Sequence, residues 1–325
     1  MSSKLVGHFL LYLLARVVIS LVQAIPLEAC GPLCRGLAYF LYDGIRLRRK
    51  VLDENIAVVL PQGTVAERRA LALKNWEHLL LMAVEVILAP RKLHETNWRQ
   101  YMTIPGKKEL VRSMLAQRPK VAVTMHFGNF EIAGYMTGLL GFSTYTVART
   151  LDNPFLDAYL NRVRSATGQF MLPKIGSAPQ ADIVLQTGGT LVLLGDQNAG
   201  AKGCWVDFFD RPTSCHKALA LFTLTSNAPM IAVYCCRSGK PMHFEFGFCG
   251  IQDPEHPTPE LAGVKQLTQW YNTVLEKAIR KYPEQYWWVH RRWKAEDAPR
   301  KKQPKASEPG PSEPSRGEVV AMKAA

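Results

Sequence analysis

The sequence predicts one α/β domain with a mostly parallel mixed sheet covered by helices, preceded by a membrane-associated helix at the amino terminus. From residue 121 onward, short strand-like runs alternate with helical patterns, which is typical of a parallel sheet. The runs at 121–125 and 190–195 are apolar at nearly every position, as strands are when helices cover both faces of a sheet. With 325 residues, 47% of them hydrophobic, the chain can bury a sizeable core.

The segment at 5–25 is the most apolar part of the chain, although His8, Arg16 and Gln23 interrupt it. About 20 apolar residues span a bilayer, so its length is borderline. No small-residue cleavage site follows it, whereas a group of basic residues at 35–50 does, which favours attachment to an anionic membrane with the basic residues in the cytoplasm. We expect residues 1–27 to form a membrane anchor or a surface helix; a buried amphipathic core helix is the alternative.

The remaining elements follow from the spacing of apolar residues. Helices are predicted at 37–42 and 66–88, on either side of a break at 61–64. The predicted strands are 121–125, 144–148, 190–195, 230–236 and 243–249. The later predicted helices are 130–140, 155–166, 182–186, 217–226 and 261–281. From residue 295 the composition turns to Pro, Lys, Glu, Ser and Gly, so we expect a folded domain over 28–294 and a disordered tail over 295–325.

Charge and cysteine usage narrow the class of protein. The net charge is +13, and the tail contributes only six Lys or Arg against five Asp or Glu, which leaves +12 on the folded body. Such a body attracts anionic partners, whether nucleic acid, anionic lipid or an acidic carrier protein. The seven cysteines are scattered, with no CxxC pair and no zinc-ligand spacing, so we expect no metal site and a reducing compartment without disulfides.

A histidine closes the apolar run at 121–125 and is followed by a turn and a helix. His126 comes directly after the run, Gly128 and Asn129 suit a tight turn, and Glu131 lies in the first turn of the predicted helix. Residues five apart on a helix are separated by about 140°, so His126 and Glu131 can meet only if the histidine lies in the turn. A neutral imidazole with a carboxylate on its other nitrogen is a general base, although a histidine near a glutamate also occurs without function.

Polar residues also follow two other predicted strands. Arg149 and Asn153 come after the run at 144–148, and Asp196 and Gln197 come after the run at 190–195, while Arg164 ends the intervening helix. The carboxyl ends of parallel strands meet at one edge of the sheet, where such folds bind ligands. We therefore expect these side chains to lie near His126 and to bind the substrate. Simple turn capping at 196–197, and a solvated basic face at 290–294, are the alternatives for these segments.

The motifs HFGNFE, VARTLDNPFLD, NRVR, GDQNAG, VDFFDRP and YWWVHRRWK, in this order over residues 5–294, resemble the bacterial lipid A biosynthesis (lauroyl/myristoyl) acyltransferases of the lysophospholipid acyltransferase superfamily. The resemblance implies a glycerol-3-phosphate acyltransferase-like fold, with His126 as general base and Glu131 as its partner. It further implies that Arg149 and Arg164 hold anionic parts of the substrates. The segment starting at Asp196 matches the DQ motif of the family.

Two positions depart from the family's pattern. Asp210 stands in the stretch 208–210 at a position where the family commonly has a glycine. Thr150 stands where the family usually has a proline after the arginine that corresponds to Arg149. The implied reaction moves an acyl chain from a thioester, carried by acyl carrier protein or CoA, to a hydroxyl of a membrane glycolipid such as a lipid A precursor. It requires no metal and no cofactor beyond the donor. We expect the backbone N–H groups of Gly128 and Asn129 to stabilise the oxyanion. Candidate acyl-channel residues are the aromatic side chains Phe127, Phe130, Trp205, Phe208 and Phe209.

The implied partners are a membrane lipid acceptor, an acidic acyl carrier protein and the membrane surface, with no nucleic acid, and the protein is expected to be a monomer at the cytoplasmic face of a bacterial inner membrane. A related enzyme that uses acyl-CoA on a lysophospholipid, a phosphoinositol mannoside or an ornithine lipid is one alternative. A non-catalytic basic protein that binds nucleic acid or membranes is another. The sequence contains no GxSxG, GxGxxG or Walker motif, and the adjacent Cys215 and His216 lack an obvious orienting acid.

Overall fold

A seven-stranded sheet forms the centre of the protein, whose computed structural model describes residues 3–294. The predicted tail at 295–325 lies outside the described residues. The order of strands is β1-β9-β8-β2-β5-β3-β4. The bounds are β1 (Met102–Thr103), β2 (Lys120–Thr124), β3 (Thr144–Ala148), β4 (Gln169–Pro173), β5 (Thr190–Leu194), β8 (Met230–Arg237) and β9 (Phe244–Gln252).

The sheet is mixed but mostly parallel. β8, β2, β5, β3 and β4 pair in parallel, whereas β9 runs antiparallel to β8 and pairs in parallel with the short edge strand β1. Strand β2 is buried at all five positions because it lies between β8 and β5 and helices cover both faces. The predicted fold class, a mostly parallel mixed sheet covered by helices, is confirmed.

Ten α-helices are described, and most predicted helices are found with their ends shifted by a few residues. Their bounds are α1 (Ser3–Ala24), α2 (Leu27–Tyr39), α3 (Arg49–Val59), α4 (Val65–Lys92), α5 (Lys107–Leu115), α6 (Phe130–Leu139), α7 (Pro154–Ser165), α8 (Ala178–Gln186), α9 (Ala218–Thr225) and α10 (Val264–Lys281). The helix predicted at 37–42 starts ten residues earlier, at Leu27, and continues as a π-helix over Phe40–Gly44. The predicted break at 61–64 is where α4 begins, because the Thr64 hydroxyl accepts the backbone N–H of Glu67 and the Glu67 carboxylate accepts that of Thr64.

Alternate residues of the sheet supply two hydrophobic cores. On β8, Met230 and Ala232 belong to the core shared with α3, α4, α9 and α10, whereas Ile231 and Val233 belong to the core under α5 and α6. This alternation follows from the two-residue period of a strand. The core under α6 is incompletely filled, and the resulting cavity is described below.

The spacing of apolar residues did not predict β1 or β4. It also did not predict a separate hairpin, which is formed by β6 (Cys204–Phe208) and β7 (Arg211–Cys215). The two residues between the hairpin strands, Phe209 and Asp210, both have positive φ, 51° and 56°. Two-residue hairpin turns of this kind usually carry Asn-Gly or Asp-Gly, and this one carries neither signal. Phe209 tolerates the conformation because its ring is buried and its backbone N–H donates to the Glu276 carboxylate at 2.7 Å.

Candidate active site

The turn that follows β2 places His126 at the carboxyl edge of the sheet. Gly128 has φ +63°, and a Cβ atom there would lie 2.0 Å from the backbone oxygen of Cys235, so both the conformation and the close approach to β8 require glycine. The backbone oxygen of His126 accepts the N–H of Trp287 at 2.9 Å. The turn is therefore fixed from two sides.

The carboxylate that contacts the His126 ring is that of Asp196. Nδ1 of the imidazole lies 2.8 Å from Oδ1, and the backbone N–H of His126 donates to Oδ2 of the same carboxylate at 3.0 Å. The contact arises because β2 and β5 are parallel neighbours with Thr124 opposite Leu194, and each functional residue comes two positions later. The carboxylate thus fixes both the ring and the backbone of the histidine, so Asp196, which the sequence predicted to bind the substrate, contacts His126 instead.

Opposite charges in this buried pair shift both pKa values. Burial raises the pKa of Asp196, but the His126 imidazole and the Arg292 guanidinium lower it, to about 2. Burial lowers the pKa of His126, whereas the carboxylates of Asp196 and Glu131 raise it, and the net pKa lies above its ordinary value. Asp196 therefore stays ionised at neutral pH and stabilises the protonated imidazole.

The predicted contact between His126 and Glu131 is corrected by this geometry. The Glu131 carboxylate forms a two-point ion pair with Arg164 of α7, with Nε 3.0 Å from Oε2 and a second contact from Nη2 to Oε1. The Asn129 side chain caps α6 by accepting the N–H of Ile132, which makes Glu131 the second residue of the helix. From there its carboxylate meets α7, where the arginine is available.

The expected oxyanion donors are also corrected. The backbone N–H of Gly128 donates to the Gln285 carbonyl at 2.9 Å, and that of Asn129 donates to the Cys235 carbonyl at 2.6 Å. The Asn129 N–H thus attaches the turn to β8, and the Gly128 N–H attaches it to the segment that follows α10. An N–H group already bonded to a protein carbonyl is a poor donor to a developing oxyanion.

The other predicted site residues divide into two groups. Arg149, Arg164 and Gln197 line the same cavity as His126 and Glu131, and Arg149 is exposed and paired with Asp152 at 2.9 Å. Asn153 does not belong with them. Its side-chain oxygen accepts the first backbone N–H groups of α7, and its amide nitrogen donates to the His8 carbonyl of α1 at 2.8 Å. The expected substrate contact of Asn153 is replaced by a structural one.

A cavity of about 860 Å³ lies between α6 and the sheet. His126, Arg149, Lys174 and Gln197 line it at the carboxyl ends of the strands. Apolar side chains line it farther along α6 and towards α5 and β9; they include Leu110, Met114, Met136, Ile231 and Phe246. Of the aromatic residues proposed from the sequence, Phe130 lines the cavity, whereas Phe127, Phe208 and Phe209 are packed in the core on the opposite face and Trp205 is on the β6–β7 hairpin.

Arg292 is the main participant that the sequence did not identify. It is 1% exposed, and its guanidinium donates to the Ser214 carbonyl and to the Cys215 sulfur, each at 3.0 Å. Its charge is one of the causes that keep the pKa of Asp196 low. The sequence signal is an arginine inside the tryptophan-rich run near residue 290; its burial contradicts, for Arg292, the alternative of a solvated basic face at 290–294.

A second buried ion pair supports the turn that follows β2. Arg237 of β8 binds both oxygens of Glu85 of α4, at 2.5 and 2.8 Å, and both residues are buried. The same carboxylate accepts the side-chain N–H of Asn129 at 3.0 Å. The residue that caps α6 is thus held by α4 and, through Glu85, by β8.

Comparison with known proteins identifies the family. The sequence pattern of the bacterial lipid A biosynthesis acyltransferases matches residues 2–295. A lipid A biosynthesis palmitoleoyltransferase of Escherichia coli (strain K12) is 26% identical over 260 residues, 77% of this chain and 80% of the relative. A lipid A biosynthesis lauroyltransferase of the same organism is 25% identical over 288 residues, 85% and 89% of the two chains.

Among solved structures, the 1-acyl-sn-glycerophosphate acyltransferase PlsC from Thermotoga maritima aligns with a TM-score of 0.38 and 10% identity, over 73% of this chain and 97% of that one. The family assignment rests instead on the match along nearly the whole sequence. The chain is an acyltransferase and belongs to the bacterial lipid A biosynthesis acyltransferase family.

Proposed function

We propose that the protein transfers a fatty acyl chain from an acyl thioester to a hydroxyl group of a membrane glycolipid, a lipid A precursor, with His126 as the general base. The observation that carries this proposal is the His126–Asp196 pair at the polar end of a large, mostly apolar cavity. The names of the two relatives from Escherichia coli favour the same acceptor class.

The chemistry follows from the two nitrogens of the imidazole. With Asp196 on Nδ1, that nitrogen carries hydrogen and Nε2 presents a lone pair. Nε2 takes the proton of the acceptor hydroxyl as its oxygen attacks the thioester carbonyl. The tetrahedral intermediate then expels the thiolate, which takes the proton back from the imidazolium, so no acyl-enzyme forms. Asp196 acts as a positioning residue that also stabilises the imidazolium.

The apolar part of the cavity is suited to the acyl chain of the donor. The side chains that line this part include Leu110, Met114, Met136, Ile231 and Phe246, none of which carries a charge. Each buried methylene contributes about 0.8 kcal/mol, so the chain supplies much of the binding free energy. A thioester is already an activated acyl donor, and the proposed reaction therefore uses no metal or further cofactor.

The basic groups at the cavity suit the anionic parts of both substrates. The basic side chains that line the cavity are Arg149, Arg164 and Lys174. The charge of Arg164 is compensated by the Glu131 carboxylate, which also lines the cavity. Arginine binds phosphate through two oxygens. We favour an acidic acyl carrier protein over CoA as the donor because the folded body is strongly basic, and we place a monomeric enzyme at the cytoplasmic face of a bacterial inner membrane.

A transfer assay tests this function. Membranes that carry the wild type or His126→Ala receive radiolabelled lauroyl-carrier protein or lauroyl-CoA, with a lipid A precursor or a lysophospholipid as acceptor. Label on the lipid A precursor from the wild type, and its loss in His126→Ala, is expected. His256→Ala is the matched control, because His256 is exposed and far along the chain from the site. Label on the lysophospholipid alone would contradict the acceptor, and full activity of His126→Ala would contradict the base.

A further inference from the structure

Helix α1 is long and apolar enough to cross a membrane, yet one side of it rests on the protein along its whole length. Its mean hydropathy is 2.1 and none of its residues is fully buried. A continuous half-buried stripe nevertheless recurs every three or four positions; it comprises Leu5, His8, Tyr12, Ala15, Ile19, Val22 and Gln23. Such spacing places these residues on one face of the helix.

The amino-terminal half of α1 is bound to α7. The His8 carbonyl accepts the side-chain N–H of Asn153 at 2.8 Å. The ring of Phe9 lies 5.3 Å from that of Phe155, and the Arg16 guanidinium lies 4.8 Å from the ring of Tyr159. The arginine that interrupts the apolar segment is therefore accommodated by the protein body.

The carboxyl-terminal end is bound to α4. The Gln23 side chain donates to the Ile87 carbonyl at 3.2 Å, and Arg91 donates to the Gln23 carbonyl at 3.3 Å. From His8 to Gln23 the helix rises about 22 Å at about 1.5 Å per residue. The contacts with the body thus extend over most of the roughly 30 Å thickness of a bilayer's hydrocarbon core.

These contacts are incompatible with α1 crossing a bilayer. The segment just before α7, which contacts α1 at His8, carries the exposed ion pair of Arg149 and Asp152. Helix α7 itself carries Asp157 and Arg162. Beside Gln23, α4 carries Arg91. A crossing α1 would take these charged groups into hydrocarbon, where charged side chains are costly.

The opposite face of α1 is apolar and exposed. Leu10, Leu14, Val17 and Leu21 are 55–62% exposed and follow one another at spacings of three or four residues. A helix that rests on protein along one side and exposes an apolar face on the other fits a membrane interface, with its axis in the membrane plane.

Helix α2 presents a second exposed apolar stripe next to a basic group. Leu33, Leu37 and Phe40, at helical spacing, are 56%, 44% and 57% exposed, and Ile45 and Leu47 continue the apolar surface. The exposed basic side chains that follow are Arg46, Arg48 and Lys50. We call this surface, residues 33–50, the α2 patch.

We infer that α1 lies flat in the membrane surface and that, together with the α2 patch, it forms one docking surface for an anionic bilayer. The charge of the α2 patch favours anionic lipid over a second copy of this basic protein, which it would repel. The same α7 that holds α1 begins five residues after Arg149, a residue of the cavity lining. Docking in this way keeps the cavity beside the lipid surface, where a lipid acceptor enters without leaving the membrane.

Labelling from the two sides of a sealed membrane tests whether α1 lies flat. Full-length Ser3→Cys and Lys50→Cys variants are treated with a membrane-impermeant maleimide in right-side-out spheroplasts and in inverted vesicles, with the wild type as background because six of its cysteines are buried and the seventh half-buried. We expect both new cysteines to react from the same side. Reaction from opposite sides would show that α1 crosses the membrane and would overturn the inference.

Vesicle binding tests the α2 patch. The double variant Leu37→Asp/Phe40→Asp is expected to bind phosphatidylglycerol-containing vesicles about tenfold more weakly than the wild type or more so, because two inserted side chains become charged. Ile183→Asp, on α8, is the control: its side chain is 59% exposed and stands outside the proposed surface. Unchanged binding by the double variant, or a loss of self-association instead of vesicle binding, would overturn the assignment. Neither readout depends on acyl transfer, so a failure here is distinct from a failure of the proposed function.

Discussion

The Asp196 carboxylate holds His126 at two points, with one oxygen 2.8 Å from the ring Nδ1 and the other 3.0 Å from the backbone nitrogen. This double contact orients the imidazole and also fixes the position of its backbone. Glu131, which the spacing of the motif favours as the partner, is turned towards Arg164 instead. The His126 contact and the cavity-lining ion pair with Arg164 therefore use two different carboxylates.

Removing the charge of Asp196 tests this division. In Asp196→Asn the side chain keeps its shape but can no longer stabilise the imidazolium, so kcat should fall about 10²- to 10⁴-fold. In Glu131→Gln the histidine keeps its partner and Arg164 loses its own, so the main change should be in KM. Steady-state kinetics on both purified variants measure the two effects. A larger loss of kcat in Glu131→Gln than in Asp196→Asn would restore the pairing expected from the sequence.

The pH profile of the reaction reports the same interaction. The proposed mechanism uses His126 as a neutral imidazole, so kcat should rise with pH through the pKa of His126 and reach a plateau above it. Because the Asp196 carboxylate raises that pKa, the rise should lie at higher pH than for a free imidazole, whose pKa is about 6.5. In Asp196→Asn the residual activity should rise at lower pH. An unchanged midpoint in this variant would show that the carboxylate does not act on the titrating group.

Replacement of Gly128 by alanine tests the turn. A Cβ atom at this position has both an unfavourable φ of +63° and a contact of 2.0 Å with the Cys235 carbonyl, and the free energy of unfolding should fall by about 3 kcal/mol. Gly141→Ala is the matched control, since φ is +87° there and nothing lies within 4 Å. The control should lose about 1 kcal/mol, the conformational part alone. If urea denaturation gave the same loss of unfolding free energy for both variants, the close approach to β8 would add little to the cost of Gly128→Ala.

The location of the site could be predicted from the sequence, whereas its pairing could not. An apolar run that ends in His126, with Gly128 in the turn, marks a strand and its carboxyl edge by local pattern alone. The partner Asp196 is seventy positions away, and its contact depends on β5 being the neighbour of β2. That order is decided by tertiary packing. The direction of Glu131 likewise depends on where α7 places Arg164.

The same distinction explains the elements that the pattern missed. Strand β4 is only partly buried, with two of its five positions exposed, and the turn of the β6–β7 hairpin carries Phe209 and Asp210 in place of glycine. Burial of the Phe209 ring holds that turn, and burial is not visible in local sequence. Asn153 shows the reverse case. Its position after a strand predicts a ligand contact, but in the structure it caps α7 and binds α1.

A larger side chain in the apolar part of the cavity tests its role as the acyl site. Met114 of α5 lines the part of the cavity near β9, on the other side of β2 from Arg149. In Met114→Trp the longest acyl chains should lose the space for their ends, so kcat/KM should fall about tenfold or more for a long-chain thioester and change little for a short one. Leu115→Trp is the control, because Leu115 is next to Met114 in the sequence but its side chain is 61% exposed. Competition between donors of different chain length measures the ratio directly. An unchanged preference in Met114→Trp would place the acyl chain elsewhere, since a filled cavity cannot hold the same chain in the same place.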